Sequence, residues 1–71
     1  MYDDLAKGID SQGASIRAIR SDAGCRLLRY QINPQTGLYG WVRVSSAKTT
    51  KAIMQKFYRT AASLVYDNTQ A

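Results

Sequence analysis

Apolar residues change their spacing along the chain, and each change marks an element. From 47 to 66 there is no glycine or proline, and Ile53, Phe57, Ala61 and Leu64 recur every three or four residues, with Met54, Tyr58, Ala62 and Val65 widening the stripe. That is the period of one helix face, and it predicts an amphipathic helix over 46–67, capped by Ser45 or Ser46 and stopped near Asn68. In Leu38-Tyr39-Gly40-Trp41-Val42-Arg43-Val44 the period falls to two, which predicts a strand with Leu38, Val42 and Val44 on one side and Tyr39, Trp41 and Arg43 on the other. The preceding Asn33-Pro34-Gln35-Thr36-Gly37 reads as a hairpin loop, because proline presets the turn and glycine supplies a positive φ. Residues 25–32 form the partner strand, with Leu28, Tyr30 and Ile32 expected on the core side and Leu27, Arg29 and Gln31 opposite.

Upstream, Ser15-Ile16-Arg17-Ala18-Ile19-Arg20 followed by a tight turn at 21–24 reads as a first strand. Ile16 and Ile19 are three apart, so a short helix over 15–21 is the competing reading. Tyr2 to Lys7 suits a brief helix ending at Gly8, and 10–13 suits a loop. A sheet with one apolar face needs a partner, and the stripe of the last helix is the one available. The expected fold is therefore α+β: a lead segment (1–13), a three-stranded antiparallel sheet (14–45) and a single C-terminal helix packed across it (46–67), in the order β-β-β-α. A chain of 71 residues is too short to divide into two cores, so 1–71 is read as one domain.

Charge adds a direction to this outline. Ten Lys and Arg against five Asp give a net charge of +5, and no acidic residue falls between Cys25 and Tyr66. Such a region draws nucleic acid, an acidic protein or an anionic surface. The same composition narrows the chemistry. There is no histidine, no glutamate and one cysteine, so no disulfide within the chain, no zinc ligand set and no usual proton shuttle is to be had, and no nucleotide-type glycine motif occurs. A non-enzymatic protein without cofactor or metal is the expectation. Cys25, beside Arg26, is read as packing, with a lowered thiol pKa as the alternative. The acidic start, Met1-Tyr2-Asp3-Asp4, is unlike a signal peptide and no apolar run is long enough to span a bilayer, which points to the cytoplasm and away from membranes. Small domains without disulfide or metal often gain stability by self-association, so a homodimer is a further expectation.

The candidate site is the sheet face turned away from the helix. Alternation puts Arg29, Gln31, Tyr39, Trp41 and Arg43 there, joined by Arg17: planar donors that reach phosphates and base edges, around aromatics that stack on unpaired bases. The competing reading buries Tyr39 and Trp41 under the amino-terminal segment or at a homodimer interface, with the arginines as its rim. On the helix, Lys48, Lys51, Gln55 and Arg59 fall near one line with Lys56 beside it, either a phosphate-facing stripe or an ordinary solvated face. Ser45, Ser46, Lys48 and Thr49 stand where a helix start favours an anion, or simply cap it.

The order of sheet, Asn-Pro-x-Thr-Gly turn, aromatic strand and helix, over Arg17 to Leu64, resembles the small three-stranded DNA-binding domains at the amino end of some phage integrases. That resemblance implies entry of the face bearing Arg29, Tyr39, Trp41 and Arg43 into a major groove. The chain also resembles small phage or plasmid proteins that bind and block a host protein. The expected function is a nucleic-acid-binding regulator or accessory factor for DNA or RNA. The alternative is an inhibitor or adaptor docking on an acidic host protein through Tyr39 and Trp41, and a histidine-free toxin-like nuclease is a third option.

Overall fold

The computed structural model describes residues 2–64. They form an antiparallel sheet of five strands, β1 (Tyr2–Asp10), β2 (Ser15–Ser21), β3 (Gly24–Ile32), β4 (Tyr39–Ala47) and β5 (Ala61–Leu64), with one helix, α1 (Thr50–Thr60), between β4 and β5. The strands lie side by side in the order β4-β3-β2-β1-β5, so α1 carries the chain from one edge of the sheet to the other. The fold is α+β-like and mostly sheet. It overturns the expected three-stranded β-β-β-α arrangement, because β1 adds beside β2 and β5 adds beside β1, strands from both ends of the described chain.

Both additions come from segments whose local composition favours helix. Tyr2-Asp3-Asp4-Leu5-Ala6-Lys7 is poor in β-formers, yet it pairs along the whole of β2, and its acids meet arginines there: Asp3 with Arg20 and Asp4 with Arg17. Cross-strand pairs of this kind override a weak strand propensity. The expected helix of 46–67 is only eleven residues long because Ala61 turns to an extended backbone (φ −71°, ψ 127°) and pairs with Asp10. The apolar stripe simply continues from helix into strand. Thr49, not Ser45 or Ser46, caps the start, its hydroxyl accepting from the Ala52 amide at 3.2 Å, while both serines belong to β4. The Asn68 stop lies outside the described residues. Of the two readings of 15–21, the strand is the one that forms.

The core sits where α1 crosses the sheet. Ile53 and Phe57 are fully buried against Ile16 and Ala18 of β2 and Cys25 and Leu27 of β3, with Leu5, Ala6, Ala47, Met54 and Ala61 around them. Gly8 is required beneath Phe57, since a Cβ there would stand 2.6 Å from the Ser63 carbonyl oxygen and 3.1 Å from the Phe57 ring. Cys25 is part of this packing.

The expected core face of β3 is inverted: Tyr30 (45% exposed) and Ile32 are exposed, whereas Cys25 and Leu27 are buried. In β4 the expected faces hold at Val42, which pairs with Arg29 on the helix side, but Val44 and, just before the strand, Leu38 are exposed. Helix length explains the error: eleven residues span about 16 Å, whereas a nine-residue strand runs about 30 Å. The covered face of β3 is therefore apolar only at Cys25 and Leu27, and beyond the helix it turns polar at Arg29 and Gln31. Alternation in β4 is broken by a bulge, where Leu27 pairs with Ser45 but Leu28 pairs with Arg43, leaving Val44 as the extra residue.

Candidate functional site

The face opposite α1 carries a row of planar side chains. β3–β4 pairing sets Tyr30 directly across from Trp41 and Ile32 across from Tyr39. The Tyr39 and Tyr30 rings stack with centroids 5.7 Å apart and planes at 20°, and Tyr30 meets Trp41 edge-on at 5.4 Å. Trp41 reaches across β3 to β2, where the Arg17 guanidinium carbon lies 5.0 Å from its ring centre and 5.5 Å from that of Tyr2. The row thus runs Tyr39, Tyr30, Trp41, Arg17, Tyr2 across four strands.

Arg17 is held in that row by Asp4, whose Oδ1 accepts from the Arg17 Nε at 3.0 Å and also from Nη2. The carboxylate raises the guanidinium pKa above its ordinary value. Arg17 therefore acts as a fixed plane whose charge is already matched. Three other cations share the face by register: Lys7 opposite Arg17, Arg26 opposite Ile19, and Arg43 opposite Leu28. Among the described residues none of these three is in an ion pair. Tyr30, Tyr39 and Trp41 remain 45%, 65% and 42% exposed, so neither the amino-terminal strand nor any other described segment covers them. Between Trp41 and Arg17 a hollow of about 200 Å³ is bounded by Lys7, Gly8, Ser15 and Ile16.

Arg29 and Gln31 do not join this row. They stand on the helix side of the sheet, past the end of α1, where the Arg29 Nε donates to Asp10 Oδ2 at 2.7 Å and its two other nitrogens donate to Gln31 and Gln12 at 2.8 Å. Asp10 Oδ1 accepts from the Gln12 and Ala14 amides, both at 2.9 Å, which fixes the β1–β2 turn. These bonds, that from Arg29 foremost, hold the Asp10 carboxyl below the usual carboxylate range. Arg29 is thus committed to structure. Lys48, Lys51 and Arg59 are exposed along α1 and the turn before it, on the opposite side of the sheet from the aromatic row. Lys56 beside them donates to the Ser46 carbonyl at 2.8 Å. Of the residues singled out from the sequence, Arg17, Tyr39, Trp41 and Arg43 come together. Tyr2, Lys7, Arg26 and Tyr30 were not among them, and they share the face with those four.

Among the described residues no cluster of three His, Cys, Asp or Glu side chains could hold a metal ion, and no helix is long and apolar enough to cross a membrane. No protein-family model, curated protein or solved structure matches the chain.

Proposed function

We propose that the chain binds single-stranded nucleic acid across its open sheet face, as a non-enzymatic regulator or accessory factor. The observation that carries this reading is the row Tyr39, Tyr30, Trp41, Arg17, Tyr2, flanked by Lys7, Arg26 and Arg43. Aromatic platforms in a basic surface suit unpaired bases, because every base has a π face and each stacked base contributes about 1–3 kcal/mol. Ring centres 5.4 and 5.7 Å apart exceed the ~3.4 Å rise per nucleotide of a helical strand. Bases on neighbouring rings are then splayed apart, as they are in an unpaired strand.

Width argues against the major-groove mode that the integrase resemblance implied. Strands lie about 4.8 Å apart, so five span about 19 Å, wider than a groove of about 12 Å. Arg29, which that mode would have used, is tied to Asp10 on the other face.

Trp41 is the sole tryptophan and stands in the middle of the row, so its fluorescence reports directly on occupancy. Titration with a short mixed-sequence single strand is expected to quench it saturably, and Arg26→Ala plus Arg43→Ala to abolish the effect at moderate salt. Unchanged fluorescence with no complex by size exclusion overturns the proposal. Exposed Tyr and Trp beside Arg are also the composition of protein hot spots. Docking on an acidic protein is accordingly the second reading, marked by a Trp41-dependent protein complex together with no oligonucleotide binding.

A further inference from the structure

We propose that the hollow between α1 and the β3–β4 part of the covered sheet face is a binding site for a small apolar carboxylate, a short hydrocarbon body with one anionic head. The inference is independent of the single-strand reading, since the two sites lie on opposite faces of the sheet.

Helix length creates the space. α1 seals Cys25 and Leu27 but ends before the sheet does, and beside it lies a hollow of about 460 Å³. Ile16, Leu27 and Val44 form its apolar floor, and Ser45, Lys56 and Arg59 stand at its rim. That volume falls within the ~300–1,000 Å³ of small-molecule sites. The bulge in β4 supplies part of the floor. Regular alternation would turn Val44 and Ser45 to opposite faces, yet both line this hollow, because the extra residue re-aims Val44. Val44 is 47% exposed, so it presents apolar surface that no other described segment covers.

Charge selects the head group. Lys56 and Arg59 are three residues apart on α1 and therefore neighbours on its surface. Among the described residues neither is in an ion pair, and the Lys56 ammonium donates to a neutral acceptor, the Ser46 carbonyl oxygen at 2.8 Å, which leaves its charge unmatched. Every lining residue except Ile16 comes from the stretch between Cys25 and Tyr66, which contains no acid. Arg29 also lines the hollow, but its three nitrogens are taken by Asp10, Gln31 and Gln12, so it walls the site and leaves the head to Arg59 and Lys56. A carboxylate fits the Arg59 fork through two oxygens. A neutral body would leave both cations unmatched, and a wholly polar anion would leave Val44 in water.

The test titrates octanoate into the wild type and Arg59→Gln, with octanol and acetate as controls for body without charge and charge without body. Octanoate is expected to shift the methyl resonances of Val44 and Leu27 and the amides of Ser45 and Arg59 saturably, leaving Trp41 fluorescence unchanged. Octanol and acetate should each bind roughly 10-fold more weakly or less, as ligands lacking half of the match. Arg59→Gln, an exposed substitution outside the core, should keep the denaturant midpoint and weaken octanoate roughly 10- to 100-fold, the scale of a hydrogen bond to a charged group. Equal affinity in Arg59→Gln, or octanol binding as well as octanoate, overturns the head-group assignment and with it the proposal. Shifts confined to Tyr30, Ile32 and Tyr39 would put octanoate on the open face and reject the site, as would the absence of any saturable shift in the wild type.

Discussion

The two faces of the sheet solve opposite problems with similar residues. On the covered face, Ile16, Ala18, Cys25 and Leu27 lose nearly all contact with water beneath Ile53 and Phe57, and the charged pair at its end, Asp10 and Arg29, is saturated with hydrogen bonds. On the open face, Tyr30, Tyr39 and Trp41 remain half exposed beside Lys7, Arg26 and Arg43, and the ordering comes from stacking rather than burial. The contrast teaches that in this chain an arginine's charge is free for a partner only where no carboxylate has reached it. Arg29, Arg20 and Arg17 are matched by Asp10, Asp3 and Asp4, the last leaving Arg17 to offer its plane and not its charge, whereas Arg26 and Arg43 are left to meet something else.

If the faces differ in this way, substitutions on them should separate stability from binding. Phe57→Ala should have the largest effect, about 3–5 kcal/mol for a buried Phe. That is comparable to the whole ~3–5 kcal/mol that a core of this size supplies. The variant should show no cooperative denaturant transition by circular dichroism. Gly8→Ala, on the same face, should cost about 1–3 kcal/mol, because the new methyl meets the Ser63 carbonyl and the Phe57 ring. A lowered denaturant midpoint with an unchanged slope would mark it.

Trp41→Ala should behave the other way. Its denaturant midpoint should move by less than about 1 kcal/mol, the scale of one exposed cross-strand pair, while affinity for a single strand falls about 5- to 150-fold, the equivalent of one stacked base. A variant that unfolds instead would erase the distinction between the faces.

The smallest effect concerns acid. Asp10 keeps its charge in the folded chain to a lower pH than in the unfolded chain, because Arg29 and two amides favour the carboxylate. Its contribution to stability is complete above the ordinary carboxylate pKa of about 4 and is lost as pH falls through the lower folded value. Denaturant midpoints measured from pH 7 down to 3 should therefore drop less steeply in Asp10→Asn than in the wild type over the acid end of that range. An identical drop would show that Asp10 has no part in the acid sensitivity.

How much of this could be read from the residues depends on whether the cue was local. The stripe of Ile53 and Phe57 is a local pattern and marks α1 well, but its continuation through Ala61 and Leu64 does not reveal that β1 has an edge to offer. Nor does Tyr2-Asp3-Asp4 announce a strand, since what makes it one is Arg17 and Arg20, more than a dozen residues away. Period two in Tyr39, Trp41 and Arg43 put these three on one face, where the structure has them together with Arg17. For β3 the same period gives two answers, because both of its sides hold apolar residues, and the choice depends on where an eleven-residue helix stops. The bulge at Val44 has no counterpart in composition. Lys7 was hidden by the helical reading of its segment, and Tyr30 by its assignment to the core.

The most direct test of the central claim is a comparison of affinity for one sequence as single strand and as duplex, measured across a range of salt. With Lys7, Arg26 and Arg43 on three phosphates, the single strand should bind more tightly than the duplex and weaken with a log–log slope near −2, at about −0.7 per phosphate. Equal or stronger binding to duplex, or no salt-sensitive binding at all, would contradict the assignment of the open face to an unpaired strand.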